Sequence, residues 1–91
     1  MSQERSLRRQ AKRWLEGQGY VVHVNTGAGP VGRPDLDVWD GERAWMIELK
    51  TGVGTLSPAQ RLYHEHLRGR GVRVEVCRSM ADVKATVGVR P

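Results

Sequence analysis

The sequence predicts an α/β fold in which a mixed central sheet is flanked by helices, with elements in the order α-β-β-β-α-β-α. Three observations carry this. Apolar residues before Gly17 recur at helical spacing, and an Asp-Gly turn joins two β-rich runs. A capped helix start then lies between two strands, and strands joined through a helix run parallel in one sheet by a right-handed crossover.

From Ser2 to about Gly17 the apolar positions are Leu7, Ala11, Trp14 and Leu15, which fall on one helical face; Gly17 and Gly19 end the element. Tyr20–Val24 is rich in β-formers and stops at a glycine loop running from Gly27 to Gly32. The runs Asp35–Trp39 and Arg43–Lys50 flank Asp40-Gly41 and predict a hairpin. Ser57-Pro58-Ala59-Gln60 combines an N-cap serine, proline at N1 and glutamine at N3, and so starts a helix reaching about Arg68. Val72, Val74 and Val76 alternate with polar residues as in a strand ending at Cys77, and Ser79 caps a last helix from Met80 to Val87.

The 91 residues, with no repeat or linker, are expected to form one domain spanning 1–91. Fifteen Lys and Arg against ten Asp and Glu give a net charge of +5, which points to a polyanionic partner. The single cysteine, Cys77, excludes an internal disulfide and a multi-cysteine zinc site. No apolar run approaches the ~18–20 residues of a membrane span, and Met1–Gln10 does not read as a signal peptide. The expectation is a cytoplasmic protein without a membrane partner.

Gly27 to Gly32 spells G-x-G-x-x-G, but a strand follows where a dinucleotide site needs a helix N-terminus, so no nucleotide cofactor is expected and the segment reads as a flexible loop. His64 and His66 point about 200° apart on a helix and cannot share an ion. With His23 they read as surface or half-buried histidines, and Cys77 as a buried thiol.

The informative residues are Asp35, Glu48 and Lys50. Glu48 and Lys50 share one face of a strand whose other face is Trp45, Ile47 and Leu49. A carboxylate and an ammonium in an apolar strand are costly unless they have a task. Hairpin pairing brings Asp35 to the strand end that holds Glu48, and two carboxylates beside a lysine suit a hard cation such as Mg²⁺ or Mn²⁺. Such an ion neutralises charge on a phosphodiester and acidifies water, while Lys50 aims the water or holds the phosphate. The same trio also reads as a structural ion-pair cluster.

Pro34-Asp35, twelve residues, then Glu48-Leu49-Lys50 resembles the core motif of the PD-(D/E)xK nuclease superfamily. With Gly32-Arg33-Pro34-Asp35-Leu36 and Leu56-Ser57-Pro58-Ala59-Gln60 added, nearly the whole chain is similar to the VRR-NUC family of virus-type replication-repair nucleases. The resemblance implies a restriction-endonuclease-like α-β-β-β-α-β core and a metal held by Asp35, Glu48 and the Leu49 carbonyl. It also adds Glu4 and Gln60 to the catalytic set. Each keeps an alternative: Glu4 can complement the helix dipole and pair with Arg8, and Gln60 can cap its helix with Ser57. Asp37 shares a strand face with Asp35 and stays open as a ligand.

Arg5, Arg8, Arg9, Lys12 and Arg13 of the first helix suit phosphate contacts, and Arg61, Arg68, Arg70, Arg73 and Arg78 form a second basic group. No base-reading helix stands out, which favours recognition of DNA shape. By resemblance to Holliday-junction resolvases the chain is expected to act on branched DNA as a homodimer, in the host cytoplasm if it is viral. Tyr20–Val24 and Trp39 are candidate interface residues. The competing function is a catalytically silent, basic DNA-binding accessory module.

Overall fold

Leu7, Ala11 and Leu15 form the inner stripe of helix α1 (Gln3–Gly17), and all three are buried. The structure, a computed structural model, describes residues 3–27 and 29–88. After α1 come strands β1 (Val21–Val24), β2 (Leu36–Asp40) and β3 (Arg43–Leu49), helix α2 (Pro58–Gly69), strand β4 (Val74–Cys77) and helix α3 (Met80–Val87). This is the element order read from the sequence, with boundaries moved by one or two residues, as is usual for element ends. Ser2, at the expected start of α1, lies outside the described residues.

The four strands form one sheet in the order β1-β2-β3-β4. β1 with β2 and β2 with β3 are antiparallel, whereas β3 and β4, joined through α2, are parallel. The sheet is therefore mixed. Its hairpin differs in one detail from the expectation. Asp40 stays in the ladder opposite Arg43, to which it is ion-paired at 2.7 Å, so the turn is Gly41-Glu42. Gly41, at φ +59°, supplies the left-handed residue that a two-residue hairpin turn requires.

Strand alternation sorts the two faces. Leu36 and Val38 of β2 and Trp45, Ile47 and Leu49 of β3 point to one side, where they form the core with Leu7, Ala11 and Leu15 of α1 and Val83 and Val87 of α3. Tyr20, which connects α1 to β1, closes this core edge-on against Trp45, with ring centroids 5.9 Å apart. The alternate residues Asp37, Met46 and Glu48 face the other side, which α2 covers.

Two features fix α2 there. Ser57 and Gln60 form a complete capping box, the Gln60 N–H donating to Ser57 Oγ and the Ser57 N–H to Gln60 Oε1. Gly32, at φ +90°, lies so close to the first turn that an added Cβ would stand 2.5 Å from the Ala59 carbonyl oxygen. The Gly27–Gly32 loop is thus not free along its length, as the sequence reading had it; its last residue is wedged against α2. At the far end, Arg68 donates to the Val74 carbonyl of β4 at 2.9 Å.

Candidate active site

Asp35 immediately precedes β2. The register that sets Leu36 opposite Ile47 puts Asp35 level with Glu48. Pro34 is buried and has no N–H to satisfy, and its carbonyl accepts from Asn25 Nδ2 at 2.9 Å. The Asn25 N–H donates to the Asp35 carbonyl at 2.8 Å, which carries the β1–β2 ladder one step further. The Asp35 side chain turns toward β3, where Oδ2 accepts the Leu49 N–H at 2.7 Å. This charge-assisted bond to the backbone holds one carboxylate oxygen at the end of the strand carrying Glu48.

Glu48 is only 2% exposed. Its carboxyl pKa is pushed up to about 9, first by burial, then by contact with the Asp35 carboxylate and by that group's charge. Glu4 on α1 adds a smaller push in the same direction, and Lys50 opposes it. Two helical side chains reach Glu48: Gln60 Nε2 lies 3.5 Å from Oε2, and His64 Nε2 lies 3.3 Å from Oε1. The Lys50 N–H donates to the Cys77 carbonyl at 3.1 Å, so the residue is anchored just beyond β3. The glycine loop after it is clamped by Arg78, which donates to the Gly54 carbonyl at 2.6 Å and the Gly52 carbonyl at 3.4 Å.

The structure thus brings Asp35, Glu48, Lys50 and Gln60 together, with Glu4 close enough for its charge to act on Glu48. Among the described residues Glu4 forms no ion pair with Arg8; the ion pair on this helix joins Lys12 to Glu16 at 2.9 Å. The alternatives for Gln60 turn out to be compatible, since Oε1 caps the helix while Nε2 faces Glu48. Asp37 is engaged elsewhere, 3.3 Å from Arg33 and 3.1 Å from Asn25.

His64 corrects the sequence reading. It is neither a surface nor a half-buried histidine but fully buried, and burial lowers its pKa. The pairing that matters is not with His66 but with Gln60, four residues earlier on the same helical face. That spacing is visible in the sequence, but the burial against β3 that gives it meaning is not. His23 and His66 are exposed. Cys77 is buried, its thiol pKa raised by that burial. The second basic group also makes contacts within the chain. Arg61, Arg68 and Arg78 donate to carbonyls of their own chain, and the Arg73 guanidinium lies 5.6 Å from the Trp45 ring centre. These four are exposed, as are Arg5, Arg9 and Arg13 on α1, where Arg8 and Lys12 are half-buried.

The donor set fits a divalent cation. Two carboxyl groups crowd together at a strand end, where burial and then the Asp35 carboxylate push the Glu48 pKa up to about 9, so added positive charge is favourable there. A hard cation with oxygen preference supplies that charge. Among the described residues no group of three or more His, Cys, Asp or Glu is arranged to hold a metal. A pair of carboxylates still fits a divalent ion that takes one or two of them and completes its shell with water and phosphate.

Fold and site together define a nuclease of the PD-(D/E)xK type. Residues 8–81 match the VRR-NUC domain, and the chain belongs to this family. Of the solved structures, a VRR-NUC domain superposes with a TM-score of 0.84 at 29% identity, covering 96% of each chain. A VRR-NUC domain protein does so with a TM-score of 0.79 at 19% identity, over 96% of this chain and 86% of that one. No curated protein sequence matches. Nuclease domains of this type generally use divalent metals.

Proposed function

We propose that the chain is a divalent-metal-dependent endonuclease that hydrolyses phosphodiester bonds in branched or otherwise structured DNA, working as a homodimer in replication, recombination or repair. One observation carries the catalytic reading: the buried Glu48 carboxyl, pressed against Asp35, has Lys50 as the cation acting on it. Burying one carboxyl against another costs stability, so a purely structural role does not account for the pair.

In this reading Asp35, Glu48 and the Leu49 carbonyl hold Mg²⁺ or Mn²⁺. The bound ion supplies neutralisation of the charge developing on the scissile phosphate and a more acidic water. Asp35 is oriented for this by the Leu49 N–H. Lys50, held by its backbone bond to β4, orients the water or stabilises the phosphate as a compact positive charge. Gln60 Nε2 keeps Glu48 in place, and Glu4 closes the site from α1 with a further carboxylate.

Arg5, Arg8, Arg9, Lys12 and Arg13 follow Glu4 along α1, a strip that at 1.5 Å per residue leads some 13 Å away from the site. It suits the backbone of a DNA arm and carries no base-reading pattern. For the dimer, the free sheet edge β1 supports the reading. Val21 (64% exposed) and Trp39 (41% exposed) are ladder partners there, and apolar pairs of this kind favour burial against a second copy.

A cleavage assay on linear, flap, fork and four-way DNAs with Mg²⁺, Mn²⁺ or EDTA tests the activity. Metal-dependent cutting of branched substrates is expected. Binding without cutting under every condition would leave the accessory-module function instead. Light scattering tests the dimer: a mass near twice the 10.2 kDa chain is expected, and a monomer with full junction cleavage contradicts it.

A further inference from the structure

On α2 the residue one turn beyond Gln60 is His64, and its imidazole is completely buried. Nε2 stands 3.3 Å from Glu48 Oε1, while Nδ1 is buried with no hydrogen-bond partner among the described residues. A residue that only filled this space would be better apolar, because leucine occupies a similar volume and leaves no nitrogen unpaired. The unpaired Nδ1 is tolerated, so the contact at Nε2 is what the position needs. Unpaired buried donors are rarer than unpaired acceptors, which places the proton on Nε2, facing the carboxylate.

We propose that His64 is a positioning residue whose Nε2–H holds the Glu48 carboxylate in the orientation that meets a divalent ion beside Asp35. The proposal rests on the reading of Asp35 and Glu48 as metal ligands. A glutamate's terminal torsion is broad, so two oxygens need two partners to fix them. Gln60 supplies one at 3.5 Å, and His64 supplies the other at the shorter distance. The support behind His64 is rigid. The first turn of α2 is locked by the capping box and by Gly32 against Ala59, and the far end is tied to β4 through Arg68. Ligand orientation by such an outer contact is a general feature of metal centres.

Calorimetric titration of the full chain with Mn²⁺, without DNA, tests this on wild type, His64→Leu and His64→Gln. Glutamine returns an amide N–H to the place of Nε2, while leucine keeps only the volume. His64→Leu should weaken Mn²⁺ binding by about 10–100-fold, the range for loss of an outer-shell partner. His64→Gln should recover most of it, and the leucine variant should melt no lower than wild type in EDTA. Equal Mn²⁺ affinity in wild type and His64→Leu overturns the proposal, as does equal loss in the leucine and glutamine variants. If His64→Leu does not fold, His64→Asn replaces it, because its shorter amide mimics Nδ1 and not Nε2. Weak binding by Asn with strong binding by Gln then supports the role, and equal binding by the two overturns it. Wild type that binds no Mn²⁺ overturns the ligand reading itself, which separates that failure from one confined to His64.

Discussion

Burial and the Asp35 carboxylate push the Glu48 pKa up to about 9 in the metal-free fold, whereas in an unfolded chain it lies near the ordinary glutamate value of 4.5. Between these limits the folded state binds more protons than the unfolded state, so this group makes stability fall as pH rises. Glu48→Gln keeps the shape without the charge. It should stabilise the EDTA-treated protein at pH 8 by on the order of 1–3 kcal/mol, the range for relieving an imperfectly paired buried group, and have little effect at pH 5. Thermal melts at the two pH values check this; a variant less stable than wild type at pH 8 contradicts it. Single residues also show where sequence reasoning stops. Asp35, Glu48 and Lys50 were legible because charges at period-two spacing in an apolar strand stand out on paper. His64 was not, because its role comes from a carboxylate 16 residues away, and burial by a different element cannot be read from a helix's own pattern.

At the level of elements, the sequence showed most of what forms locally. The α1 stripe, the Ser57 capping box and the valine alternation in β4 are statements about neighbours in the chain, and the structure contains each of them. The hairpin was found but its turn was displaced by one residue, since the Asp40–Arg43 ion pair extends the ladder past the aspartate. The glycine loop was the larger miss. Gly32 is required by close approach to α2, a non-local contact that a G-x-G-x-x-G pattern does not reveal. Gly32→Ala combines an unfavourable positive φ with a Cβ 2.5 Å from the Ala59 oxygen, so about 1–3 kcal/mol of stability should be lost. Cleavage should suffer further, because the loop leading to Asp35 would be pushed away from the helix carrying Gln60 and His64. Chemical denaturation measures the first effect; an unchanged midpoint contradicts the wedge.

Across the whole molecule, charge is divided between two tasks. Several arginines outside α1 are committed to carbonyls of their own chain, as Arg61, Arg68 and Arg78 show. The basic residues of α1, Arg5, Arg8, Arg9, Lys12 and Arg13, are the ones that the proposed function sets against DNA. Composition announced a polyanionic partner, but only the structure shows which arginines also tie parts of the fold together. Arg8→Ala with Arg9→Ala should weaken DNA binding and reduce the slope of log affinity against log salt by about 2, since each phosphate contact contributes nearly one. Cleavage at saturating DNA should remain close to wild type. Fluorescence anisotropy over a salt series reads the slope, and an unchanged slope would move the DNA path away from α1.

The central claim is that the strand-end group of Asp35, Glu48 and Lys50 cuts DNA with a divalent metal and is not an ion-pair cluster supporting the fold. Single-turnover cleavage of a four-way junction at saturating protein, with Mn²⁺ or EDTA, tests it on wild type, Asp35→Asn and Lys50→Ala. Binding is measured in parallel. All three proteins should bind the junction within a few-fold of one another, and wild type should cut only with metal. Both variants should cut at least ~10²–10³ times more slowly, the loss expected when a preorganised catalytic charge is removed. Cutting by wild type in EDTA, or near-wild-type cutting by either variant, would contradict it.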